Sequence, residues 1–356
     1  MVSMIIHGTG CCLIDYLYAK IDFSSPAFVA ACSRKPGDGG LSPGRLVFAE
    51  EFERFIGKPY QQALETITGG VLPDRQNLGG PSVVSLAHTA QMLMNSEYEV
   101  SFYGVCGTDD TAKHIETSLN KLPFKSVHLV KKTGPSPRTD VLSDPTYDNG
   151  HGERTFINRL GTASFFGPED LPDDFFNAHI IAFGGTALVP PIHDALTDLL
   201  QHSKNKGALT FVNLVYDFPS ELCDPNTKWK LGRHDDAYQF IDILVADREE
   251  ALKTSGKPTI PEAIDYFLKR GTGAVVITEG ARNIHVASQR PQALSYKTMP
   301  VCEAVNRELA EHPERKGDTT GCGDNCAGGL LANVAEQLHA SQYAHQYDYD
   351  LEEACI

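Results

Sequence analysis

The chain has 356 residues, 41% of them hydrophobic and 22% charged, with a formal net charge of −15. That length and apolar content can bury a core in one large α/β domain or two ordinary ones, and the acidic balance argues against a nucleic-acid or anionic-membrane partner. No stretch approaches 18 consecutive apolar residues, so no membrane span is expected; nine cysteines without a C-x-x-C pair, and no leading secretion signal, fit a reducing cytoplasm.

Strand and helix signals alternate along the chain. SMIIH at residues 3–7 reads as a buried strand, and similar runs recur at 98–103, 126–131, 179–183, 208–214, 241–246 and 274–278. Several are continuously apolar, as strands covered on both faces are. Helical patterns fall between them at 81–94, 109–122, 190–202, 261–270 and 324–338. The alternation predicts an α/β fold with a doubly wound, mainly parallel sheet flanked by helices. Two regions break the rhythm. Residues 11–77 carry strand fragments, the Pro/Gly-rich KPGDGGLSPG and one short helical piece at 50–54. Residues 136–160 read as a hairpin, RTDVLSD and RTFINR around a turn containing Asn149-Gly150. Both are read as insertions that form a small β-rich lid on a single domain of residues 1–356.

The densest chemistry is KGDTTGCGDNCAGG at residues 316–329. Gly321 and Gly323 free the backbone to turn several N–H groups one way. A helix follows, with Ala327, Leu330, Leu331, Val334 and Leu338 on one apolar face. A glycine turn feeding a helix N-terminus is a ready anion site, and Asp324 stands at that terminus, where the positive helix end favours its ionised form. Phosphoryl transfer needs just these parts: donors for the moving oxygens and a carboxylate for the acceptor proton. The bland alternative is a capped helix after a tight turn. Cys322 and Cys326, one helical turn apart, read as small packing residues and not as a metal pair.

DTTGCGD resembles the D-T-x-G-A-G-D signature of the PfkB, or ribokinase-like, kinases, and the N-x-x-A/F-G-G continuation is similar too. The resemblance implies a ribokinase-like fold and a small-molecule kinase using ATP and Mg2+. It makes Asp324 the catalytic base and the backbone of Gly321, Cys322 and Gly323 the anion hole, with cysteine in place of the usual alanine. Further matches occur in the family's order. GTGCCLID at 8–15 resembles the first strand and substrate aspartate, here Asp15. LGGPSVVSLAHTAQML at 78–93 resembles the G-G-x-x-x-N-x-A element and marks Gly79 and Gly80 as sugar-facing, with Val84 in the asparagine position. YGVCGTD at 103–109 matches a strand-end element that is mainly architectural. GERTFINR at 152–159 is similar to the lid strand of nucleoside-kinase-like members, which makes Arg154 a candidate phosphate contact. DREE at 247–250 stands where the family has N-x-x-E, so Asp247 and Glu250 are the candidate magnesium ligands, three apart on one helix face. Thr278, Gly280 and Thr319 are implied to line the nucleotide.

The chain ends in LEEACI, about where the family's adenine-walling helix would begin, so a more open pocket or closure by another segment or subunit is expected. The expected acceptor is a small-molecule sugar or nucleoside; a sugar acid or vitamin-like alcohol stays open. A lid hairpin could also pair with that of a second copy as a homodimer. The alternative class is a non-catalytic ligand binder on the same fold, suited by the altered Val84, Asp247 and C-terminus. A dinucleotide enzyme is disfavoured because no G-x-G-x-x-G follows the first strand, and no Walker A sequence is present.

Overall fold

A computed structural model describes residues 3–35, 37–94, 97–289, 294–313, 321–341 and 349–355. Among these residues one sheet holds nine strands: β1 (Met4–Gly10), β5 (Tyr98–Cys106), β6 (Ser126–Lys131), β9 (Ile180–Gly184), β10 (Leu209–Asn213), β11 (Ile243–Asp247), β12 (Ala274–Thr278), β13 (Asn283–Ser288) and β14 (Leu294–Pro300). The spatial order is β14-β13-β12-β11-β10-β9-β1-β5-β6. Neighbours from β12 to β6 pair in parallel, and β13 and β14 are antiparallel additions.

The middle strands are buried on both faces because successive residues alternate between two apolar cores. In β9, Ile180 and Ala182 join one core, whereas Ile181 and Phe183 join the other. The first core is roofed by helices Pro81–Met92, Asp110–Leu119 and Cys322–Ala340, the second by helices Leu196–Asn205, Arg248–Ser255 and Ile260–Lys269. Local chemistry starts several of these helices. Pro81 occupies the first turn after Gly80, and the Asp109 and Thr259 side chains accept from backbone N–H groups of the first turn.

A second sheet is built from the stretches at 11–77 and 136–160. Its order is β3 (Leu46–Phe48), β8 (Glu153–Arg159), β7 (Arg138–Asp144), β2 (Leu13–Tyr18), β4 (Arg75–Gly79). One face packs on helices Pro26–Ala31, Ala49–Ile56 and Tyr60–Thr68. Three helices, not one, therefore lie in the first stretch. On that face Arg138 stacks on the Tyr16 ring at 4.0 Å, and the fully buried Asp140 receives Arg138 and the Tyr60 hydroxyl. The β7–β8 turn holds Asp148 and Asn149 at φ 49° and 58°, the left-handed conformation that favours asparagine and aspartate.

Candidate active site

Parallel strands carry their ligands beyond the carboxyl ends, where the strand order reverses. Here the chain leaves β1 toward β5 and β6, then returns to its other side at β9, so the reversal lies between β1 and β9. Cys11 N–H donates to Gly184 O at 3.0 Å across this point, and Gly185 N–H donates to Asn213 O at the end of β10.

Asp324 approaches the same edge from the helix Cys322–Ala340. Gly321 caps this helix at φ 80°, a left-handed turn that a glycine makes without strain. Its carbonyl accepts from the Asn325 backbone at 2.9 Å and the Asn325 side chain at 2.8 Å. Cys322 and Gly323 are exposed in the first turn, where helix N–H groups point outward. The Asp324 carboxylate accepts from Asn213 Nδ2 at 3.1 Å. Burial pushes its pKa up to about 6, against the opposing pull of the Asn213 hydrogen bond.

Asp15 comes from the second sheet. It pairs with Asn77 of β4 and Thr139 of β7. A Cβ on Gly79 would lie 2.2 Å from Asp15 Oδ2, so only glycine leaves that carboxylate room. Gly80, at φ 106°, passes so close to Cys11 that a Cβ would lie 2.5 Å from its carbonyl oxygen. Cys11 lies near both acids. Its thiol is fully shielded and held well above its ordinary pKa, first by burial and then by Cys12, Asp15 and Asp324. Asp15 and Asp324 thus lie within electrostatic reach of one buried sulfur.

The acidic pair at the end of β11 begins the helix Arg248–Ser255. Asp247 Oδ1 accepts from Glu250 N–H, and Glu250 Oε2 accepts from Asp247 N–H, both at 2.8 Å. This is a reciprocal capping box, which leaves each carboxylate one further oxygen. Glu250 is pushed up by burial and next by the negative charge of Asp247, with Asp324 a further contributor. Thr278 stands in register with Asp247 on β12, and Gly280 turns at φ 58° with open space around it. Arg154 is placed differently. It sits near the outer end of β8, four residues from the Asn158 that faces Thr139, roughly 13 Å along the strand. Thr319 lies outside the described residues.

The sequence reading missed Asn213. Its trace was a polar residue directly after Phe211-Val212 at a strand's carboxyl end. Among the described residues no helix is long and apolar enough to cross a membrane, and no cluster of three metal-ligating side chains occurs.

The model of the pfkB family of carbohydrate kinases matches residues 85–356. The chain belongs to that family. Solved structures extend the likeness over the whole fold. An adenosine kinase from Schistosoma mansoni, solved with 2-fluoroadenosine, aligns at 16% identity over 98% of this chain and 91% of its own, with a TM-score of 0.69. The Anopheles gambiae adenosine kinase, bound to P1,P4-di(adenosine-5) tetraphosphate, aligns at 18% identity, covering 100% and 92%, at 0.68. Thermotoga maritima ribokinase aligns at 16% identity, covering 99% and 89%, at 0.63. The fold is therefore ribokinase-like, as the glycine-rich signature implied. The pfkB match spans both the crevice edge from β9 onward and the Asp324 helix.

Proposed function

We propose that this pfkB-family chain transfers the γ-phosphoryl group of ATP to a hydroxyl of a sugar or nucleoside, with Asp324 as general base. The observation that carries the reading is the Asp324 carboxylate, half-buried at a glycine-capped helix start and raised to a pKa of about 6. A base is most effective with a pKa near the operating pH. The similar structures support the acceptor class, since adenosine is bound in one and ribose with ATP in another.

Asp324 takes the acceptor proton as the acceptor oxygen bonds to the γ-phosphorus. The bond from that phosphorus to the β–γ bridging oxygen breaks, and ADP leaves. The backbone N–H groups of the capping Gly321 and of Cys322 and Gly323 face the phosphoryl oxygens and offset their charge. Asp15 orients the acceptor by accepting from its hydroxyls beside Gly79 and Gly80. Asn213 holds Asp324 in place. Thr278, Gly280 and Thr319 line the nucleotide, and Arg154 approaches it when the second sheet closes as a lid. The hard oxygens of Asp247 and Glu250 left over from the capping box would hold Mg2+. Bound there, Mg2+ would supply neutralisation of phosphate charge.

The test is ADP release with Mg-ATP across sugars, nucleosides and sugar phosphates. Asp324→Asn is expected to lower turnover at least about a hundredfold while the protein stays folded. The wild-type rate should fall as pH drops through about 6, where Asp324 becomes protonated. Near-normal turnover in the variant would remove Asp324 from the mechanism.

A further inference from the structure

The face of the second sheet that carries Asp15 holds more polar groups than one carboxylate. Strand registers place Asn158 of β8 opposite Thr139 of β7, Thr139 opposite Asp15 of β2, and Asp15 opposite Asn77 of β4. Residues paired across a sheet share a face. The four side chains therefore form one polar row across four adjacent strands. The helices cover the opposite face, where Tyr60 reaches Asp140. Val141 and Phe48, on the row's face, belong to neither apolar core. Leu46 and Phe156, also on that face, line a groove of about 1110 Å³ whose far wall is Tyr216 and Phe218 beyond the end of β10. The row thus faces the space between the second sheet and the main sheet.

Within the row, Asn158 is 2% exposed. Its Nδ2 donates to Thr139 Oγ1 at 3.0 Å, and its Oδ1 has no partner. A buried amide oxygen left unmatched costs stability, and proteins rarely keep one without use. Turning the amide over leaves its other end unmatched instead. Asp15, two strands away, is the carboxylate on which the proposed function rests.

We propose that Asn158 is a specificity-determining residue of the acceptor site: its amide reads a hydroxyl of the bound polyol, at the opposite side of Thr139 from Asp15. This deepens the proposed kinase reading and rests on it. Asn158 and Asp15 stand two strand spacings apart, roughly 10 Å, so they contact different hydroxyls of one acceptor. An acceptor lacking the hydroxyl read by Asn158 leaves a buried polar group unpaired, and sites of this kind reject such analogues strongly.

The experiment titrates D-ribose, D-fructose and adenosine, with monodeoxy analogues of each, into the full-length wild type, Asn158→Leu, Asn158→Ala and Asp324→Asn. Calorimetry gives affinity, and melting curves show that each variant is folded. At least one parent compound should bind the wild type, and both Asn158 variants should bind it at least about tenfold more weakly. One monodeoxy analogue should bind the wild type as weakly as its parent binds the Asn158 variants, which should no longer tell the two apart. Asp324→Asn should still tell that parent from that analogue. In turnover, the acceptor KM should rise while kcat and the KM for ATP stay within about threefold. A parent compound that binds the Asn158 variants as tightly as the wild type overturns the inference and leaves Asp324 as the base. Absence of binding by all three parents also overturns it, and the wider ADP-release panel then decides separately whether the chain is a kinase.

Discussion

Asp324 carries a cost that its proposed role as general base explains. Its carboxyl titrates near 6 in the fold and near 3.9 in an unfolded chain. Between those values the folded protein binds more protons, so stability falls as pH rises through the window. Above pH 6 the full penalty is present, on the order of 3 kcal/mol; below about 4 it is gone. Asp324→Asn should therefore raise the melting temperature at pH 7.5, with the gain vanishing by pH 4. A variant no more stable than wild type at neutral pH would mean the carboxylate is not desolvated. Asn213→Ala acts in the opposite direction on the same group. It removes the hydrogen bond that favours the ionised form, so the acid limb of the rate profile should move to higher pH. An unmoved limb would show that Asn213 does not tune the base. Asp324 was legible because DTTGCGD is a contiguous string. Asn213 and Asn158 were not, because the partners that give them meaning lie 111 residues away, or across a strand pairing, in the fold.

Elements differ in how plainly the chain announces them. The parallel strands were legible because burial on both faces demands continuous apolar runs such as IIAFG and AVVIT. β13 and β14 were not, since NIHVAS and LSYKTMP mix polar and apolar residues at the sheet's edge, with β14 largely exposed. The helices Pro26–Ala31 and Tyr60–Thr68 escaped notice because six to nine residues give too little periodicity. The Asp324 helix is placed by a close crossing over Pro81–Met92. A Cβ on Gly328 would lie 2.4 Å from Ser85 O, and Thr89 Oγ1 donates to Gly328 O at 2.9 Å. Gly328→Ala should force the helices apart and cost about 1–3 kcal/mol, read as a lower urea midpoint. Because the same helix presents Asp324, turnover should fall as well. Unchanged stability would show that the crossing is not tight.

At the scale of the molecule, two sheets face one another across a groove lined by residues 33–47 on one side and 216–225 on the other. Closing it would exclude water from the proposed phosphoryl transfer, which water would otherwise intercept. Hydrogen exchange with Mg-ATP and an acceptor should slow in both segments at once. Slowing confined to one wall would argue against closure.

The sequence by itself determined the α/β class, the family signature, the glycine turn with Asp324, and the two stretches from which the second sheet is made. Those features are local: periodicity, turn chemistry and a contiguous motif depend on residues close in the chain. Only the tertiary structure decided that Asn213 holds Asp324, that Asp15 and Asp324 both lie within electrostatic reach of the buried Cys11, that Asp247 and Glu250 cap each other, and that Asn158, Thr139, Asp15 and Asn77 form one row. Each of these depends on strand order and register, which bring distant residues together through pairing and burial that no single segment encodes.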